Sequence, residues 1–259
     1  MSSNEIGDEG ISILGDALAV NITLQYLDLA QSRAITQNGW RTFSNCLRNP
    51  QSALKELILW DCGMDEQGAA VLATSLAANS SVKTLDLDSN DVESTGVVAF
   101  FHTLQVGASG LETLLINSVD LEDITEEEWC ILSCALCDKA TIGKTYTSNH
   151  TFHTCSLSEE METCCDCSLQ ELSILLDLNR NPNKAEVARW KIMKSHFSCG
   201  NLGIHAIACM HESVLPHAIE WMGRDKHGYW AMFSFVKSFP TLFDVSQDQR
   251  EGPKKRKIR

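Results

Sequence analysis

Four short stretches, "LQYLDL" from Leu24, "LKELIL" from Leu54, "VKTLDL" from Val82 and "LETLLI" from Leu111, repeat one apolar spacing at intervals of 30, 28 and 29 residues. A period of this size constrains a chain more than its composition does, because one supersecondary unit must stack on copies of itself. The alternating leucines (Leu27 and Leu29, Leu57 and Leu59, Leu85 and Leu87) mark a short strand with one buried side. Behind each strand comes a second apolar set at i, i+3 and i+7: Trp40/Phe43/Leu47, Ala69/Leu72/Leu76, Val97/Phe100/Leu104 and Trp129/Leu132/Leu136. That spacing is one face of a helix. No single unit can bury its own strand and helix, so the spacing predicts parallel strands in a curved stack, with the wider helices outside and the sheet on the concave side.

The same residues resemble the leucine-rich-repeat family, in particular its ribonuclease-inhibitor type with 28- or 29-residue repeats. Cys62 and Asn90 stand where that type places Cys or Asn in the turn after the strand. The resemblance covers roughly residues 4 to 158, with Phe152, Cys155 and Leu157 as a degenerate fifth strand. Two later stretches, "LCDKATIGKTYTSNHTFHTCSLS" and "LLDLNRNPNKAEVARWKIMKSHF", are similar to a subgroup in which a helical cap closes the array. The fold class implied is an α/β leucine-rich-repeat solenoid followed by an all-helical C-terminal region. The expected organisation is repeats over 1–158 (half a repeat, four regular ones and one degenerate), a linker over 159–167, a helical cap over 168–245 and a disordered basic tail over 246–259. Ser168, with Glu171 three residues on, reads as the N-cap of the first cap helix, and a second helix begins just after Pro182.

Asn4, Ile6, Gly10, Ile11, Leu14 and Leu18 align with Asn90, Val92, Gly96, Val97, Phe100 and Leu104. The opening is therefore the turn and helix of a repeat whose strand would begin eight residues before Asn4. This leaves the strand at Leu24 with an open edge, and predicts either an upstream continuation or pairing of that edge with another molecule, self-association included.

The net charge of −13 sharpens the choice of partner. The last ten residues hold six basic side chains and one acidic one, so the rest of the chain carries 15 basic against 33 acidic residues. Such a body repels phosphate, which argues against nucleic acid and membrane and for a protein partner with a basic surface. The opening residues lack a secretory pattern and no apolar run is long enough to span a bilayer, so an intracellular location, cytoplasmic or nuclear, is expected. Eleven cysteines then read as free thiols, and the sequons at Asn21, Asn79 and Asn149 as incidental.

Candidate binding residues follow from the strand frame, because residues flanking the buried leucines share the concave face. They are Tyr26, Asp28, Glu56, Trp60, Thr84, Asp86, Asp88 and Asn117, with Ala30, Ile58, Thr113 and Leu115 in the same rows. Trp60 near Asp86 and Asp88 suits an arginine or lysine, through stacking and ion pairing together. The run Lys254, Lys255, Arg256 and Lys257 after Pro253 resembles a nuclear-import signal. His150, His153, Cys155, Cys164, Cys165 and Cys167 could in principle hold zinc, but the repeat frame already assigns His153 and Cys155 structural positions, so no metal and no cofactor is expected. Cys130, Cys134 and Cys137 read as core or flanking residues of one helix. No nucleophile elbow, phosphate loop or zinc-protease motif occurs, which points to a non-catalytic interaction module. The alternative is an activator of a Ran-like GTPase, since activators of that GTPase are built from similar repeats; Arg33 is the cation it would offer.

Overall fold

The structure, a computed structural model, describes residues 5–105, 109–117, 124–156 and 167–196. Of the linker expected over 159–167, only Cys167 is described, and a helix begins there; residues 159–166, the region beyond His196 and the basic tail lie outside the described residues.

The elements run α1 (Asp8–Val20), β1 (Tyr26–Asp28), α2 (Gln37–Ser44, continued by a 3-10 turn over Asn45–Arg48), β2 (Glu56–Ile58), α3 (Glu66–Leu76), β3 (Thr84–Asp86), α4 (Glu93–Gln105), β4 (Thr113–Leu115), α5 (Glu126–Leu136), α6 (Ile142–Thr147), β5 (Thr154–Cys155), α7 (Cys167–Asn179) and α8 (Lys184–His196). The strands form one parallel sheet in the order β1-β2-β3-β4-β5, so each strand lies beside its neighbour in sequence. Leu27, Leu57, Leu85, Leu114 and Cys155 fall in one row and are buried under the helices. The degenerate fifth strand thus keeps the register with a thiol in the leucine place. Strands pair at about 4.8 Å while packed helices need about 10 Å, and this mismatch bends the stack toward its sheet side.

Side chains repeated along the array hold the turns. Asn90 is buried; its Nδ2 donates to Leu59 O and Leu87 O, both at 2.8 Å, and its Oδ1 accepts from Cys62 N (3.0 Å) and Met64 N (2.9 Å). Cys62, one repeat earlier, donates its thiol to Leu29 O at 3.2 Å. Gln31, Asp61 and Ser89, one to each unit, turn the chain in the left-handed region, with φ of 62°, 53° and 58°. The three sequon asparagines are structural: the Oδ1 atoms of Asn21, Asn79 and Asn149 accept from the backbone two and three residues on, ahead of the next strand.

Two local expectations shift. The helix α7 begins at Cys167, so Ser168 lies inside its first turn instead of capping it. The short helix α6 has no counterpart in the sequence reading; six residues carry too little periodicity to show, and Thr141 fixes its start by accepting from Lys144 N. Among the described residues, the helical region docks through Lys191. That side chain is buried, and its Nζ donates to Leu136 O (2.6 Å) and Asn149 O (3.1 Å) and lies 3.2 Å from His150 Nδ1.

Candidate functional site

The parallel register arranges the outward residues in three lateral rows. Tyr26, Glu56, Thr84 and Thr113 form one, and Asp28, Ile58, Asp86 and Leu115 the next. Continuing the ladder by two residues, as the bonds Gln31 N to Trp60 O and Asp61 N to Asp88 O require, gives Ala30, Trp60, Asp88 and Asn117. Trp60 is therefore the direct neighbour of Asp88, whereas Asp86 sits diagonally, opposite Ile58. The sequence frame placed both carboxylates near the indole; the register separates their roles.

Those roles are set by hydrogen bonding. Asp28 and Asp86 each accept from the backbone two residues on, Ala30 N at 2.9 Å and Asp88 N at 3.0 Å, and so hold the ends of their own strands. Asp88 Oδ2 accepts from Asn117 Nδ2 at 2.8 Å, while Asp88 Oδ1 is buried without a partner. Burial pushes the Asp88 carboxyl up, the neighbouring Asp86 charge adds to this, and the contact with Asn117 partly opposes it. A carboxylate in that state gains from any donor or cation brought to it. Trp60 is 38% exposed and Tyr26 53%, the large aromatic surfaces of a face that also carries the half-buried Ile58 and Leu115, while Ala30 is covered. Glu56 and Asn117 are exposed, and Thr84 half-buried in the row between Glu56 and Thr113.

Arg33 lies past the strand ends and is held by Asp61, with Nε to Oδ1 at 2.9 Å and a second, closer contact through the terminal guanidinium nitrogen. The histidines considered for metal binding have other partners. His150 Nε2 meets Tyr146 O at 3.0 Å and His153 Nδ1 meets Thr154 Oγ1 at 2.9 Å, with His153 opposite Glu112 in the ladder as expected. Cys164 and Cys165 lie outside the described residues, as do Lys254, Lys255, Arg256 and Lys257. Among the described cysteines Cys46, Cys62, Cys130, Cys134 and Cys137 are free thiols, and burial pushes Cys46 up to about 12 and Cys62 to about 11, so neither of these two offers a reactive thiolate. Cys137 is buried, and Cys130 is exposed on the outside of α5. No helix among the described residues is long and apolar enough to cross a membrane.

Comparison with known proteins agrees with this geometry. A family profile described as "Leucine Rich repeat" matches residues 1–15 and 78–101, two stretches that include the aligned Asn4 and Asn90. The fold is a leucine-rich-repeat solenoid. Its repeats are 31% identical over 123 residues to NACHT, LRR and PYD domains-containing protein 14 of Mus musculus, covering 48% of this chain and 12% of that protein. They are 28% identical over 128 residues to ribonuclease inhibitor of Mus musculus, covering 49% and 22%. The chain thus matches only a tenth to a fifth of the length of these curated leucine-rich-repeat relatives. The tropomodulin C-terminal domain of Caenorhabditis elegans shares the fold at a TM-score of 0.51 and 10% identity, over 66% of this chain and 93% of that one.

Proposed function

We propose that this protein is a non-catalytic interaction module that takes a basic protein segment on its concave face. The observation that carries the reading is the pairing of the exposed Trp60 with Asp88, whose buried Oδ1 has no donor of its own. An arginine laid over the indole would lie beside the Asp88 carboxylate and offset its poorly solvated charge, with Asp86 and Glu56 adding negative potential and Tyr26 and Asn117 flanking the contact. Thr84 and Asp28 complete the face. The likeness to leucine-rich-repeat relatives, one of them by name an inhibitor of ribonuclease, supports a binding role over an enzymatic one. An intracellular site of action, with the run from Lys254 to Lys257 acting as an import signal, fits such a role. No observation favours the activation of a Ran-like GTPase, because Arg33 is engaged by Asp61; an unchanged rate of GTP hydrolysis on adding the protein is the expected result.

The test is crosslinking and affinity capture with the wild type against Trp60→Ala and Asp88→Asn, each checked for an unchanged melting temperature. Truncating a central aromatic anchor costs about 2 kcal/mol or more of binding, so partners engaged by this face should be lost from both variants together. Capture identical across all three proteins rules the concave site out.

A further inference from the structure

Among the described residues, the exposed apolar surface is concentrated at one end. Of the nine large hydrophobic side chains exposed among the described residues, five (Ile13, Val20, Ile22, Leu24 and Tyr26) lie in α1, β1 and the connection between them, so the first unit departs from the others. Position by position, the departure has a consistent form. Leu24 is exposed, whereas Leu54, Val82 and Leu111 at the same place are buried. Ala17 is exposed, whereas its equivalents Cys46, Ser75 and Thr103 are buried.

In the later units these positions face the preceding unit. Thr103 Oγ1 donates to Ala73 O of α3 at 2.9 Å. A Cβ at Gly39 would meet Asp8 and Ile11 of α1, one at Gly68 would meet Trp40 of α2, and one at Gly96 would meet Ala69 and Glu66 of α3, at 2.5 to 3.4 Å. Gly10 keeps the glycine, yet among the described residues a Cβ there meets only Ile6 of its own turn. The turn after β1 shows the same thing in hydrogen bonds. Cys62 Sγ and Asn90 Nδ2 each donate to a carbonyl of the preceding strand, Leu29 O and Leu59 O. Ser32 occupies that ladder position in the first unit; it is 0% exposed and its Oγ has no partner. Lys55 and Glu56, Lys83 and Thr84, and Glu112 and Thr113 send their N–H groups to the preceding strand, while β1 is the edge of the sheet.

We propose that the face formed by α1 and β1 is a docking surface for a helix followed by a short parallel strand, a segment of leucine-rich type stacked in the same sense as the units behind it. The glycine at 10, the small Ala17 and the buried hydroxyl of Ser32 are the residue types of an interior contact. A second copy meeting this edge about a twofold axis would run antiparallel to β1 and put no carbonyl at the ladder position of Ser32.

The test supplies the segment from the protein's own sequence: a copy of residues 62–89, which is the turn, helix and strand that precede Asn90, joined directly ahead of Asn4 in the full chain. The extended chain should melt about 5 °C or more higher, and amide exchange at Gln25, Tyr26 and α1 should slow at least about tenfold. Ser32→Asn should raise the melting temperature in the extended chain only. Gly10→Leu should be harmless in the original chain and abolish the gain in the extended one. Three results overturn the proposal: an unprotected α1 in the extended chain, destabilisation of the original chain by Gly10→Leu, or a concentration-dependent dimer of the original chain that protects the same amides.

Discussion

Asn90 does for the array what no apolar residue could, since its amide pairs two carbonyls and two N–H groups of adjoining turns inside the core. Removing it strands those groups, each at about 1–3 kcal/mol, so Asn90→Ala is expected to cost about 3–5 kcal/mol of stability, read by chemical denaturation. Ser89, just before it, has φ of 58°. An L-residue there carries strain of about 1–2 kcal/mol, which glycine relieves at some cost in unfolded-state entropy. Ser89→Gly should therefore stabilise by about 0.5–1 kcal/mol and raise the melting temperature by a few degrees. The ladder position of Asn90 is legible from the repeat; its full set of partners is not, because Leu59 and Met64 lie about one repeat upstream. Asp88 shows the same limit on the concave face: its place in the row follows from spacing, but its unpaired oxygen follows from packing.

Helix α8 is tied down by a group that burial penalises. Burial lowers the Lys191 ammonium to about 7, although two carbonyls and His150 Nδ1 surround it. Because Tyr146 O can only accept, His150 Nε2 must be the protonated nitrogen, which leaves Nδ1 free to accept from Lys191. Burial, with the Lys191 charge beside it, lowers His150 to about 4, so it stays neutral in the fold. Both groups bind fewer protons folded than unfolded, and stability therefore rises with pH over both windows, from about 4 to 6.5 for His150 and from about 7 to 10.5 for Lys191. The melting temperature should fall on acidification below pH 6.5, and Lys191→Met should flatten the slope above pH 7, both measured in a pH series of thermal melts. Periodicity announces α8 as a helix. It does not announce that a lysine on it enters the core, since lysine is ordinarily a surface residue and only the juxtaposed end of α5 and the turn at Asn149 make the burial tolerable.

Over the whole molecule, the charge of −13 acts as a field as well as a set of contacts. Association with a basic partner should slow roughly tenfold or more as salt is raised from about 50 to 300 mM, while dissociation changes less, measurable by stopped-flow or surface binding kinetics. The arc that shapes this field is legible in the sequence, because one period carries both the strand alternation and the helix stripe, and hydrophobic burial of both has a single stacked solution. Strand order, parallel register and the rows of the concave face follow from local spacing in that way. Tertiary structure alone decided which of the concave carboxylates is occupied and which is left wanting a donor, and that the first unit carries interior-type residues on an open face. The physical reason is that periodicity records what each residue does within its own unit. Hydrogen-bond satisfaction and burial depend on the unit stacked beside it, and that neighbour is distant in sequence.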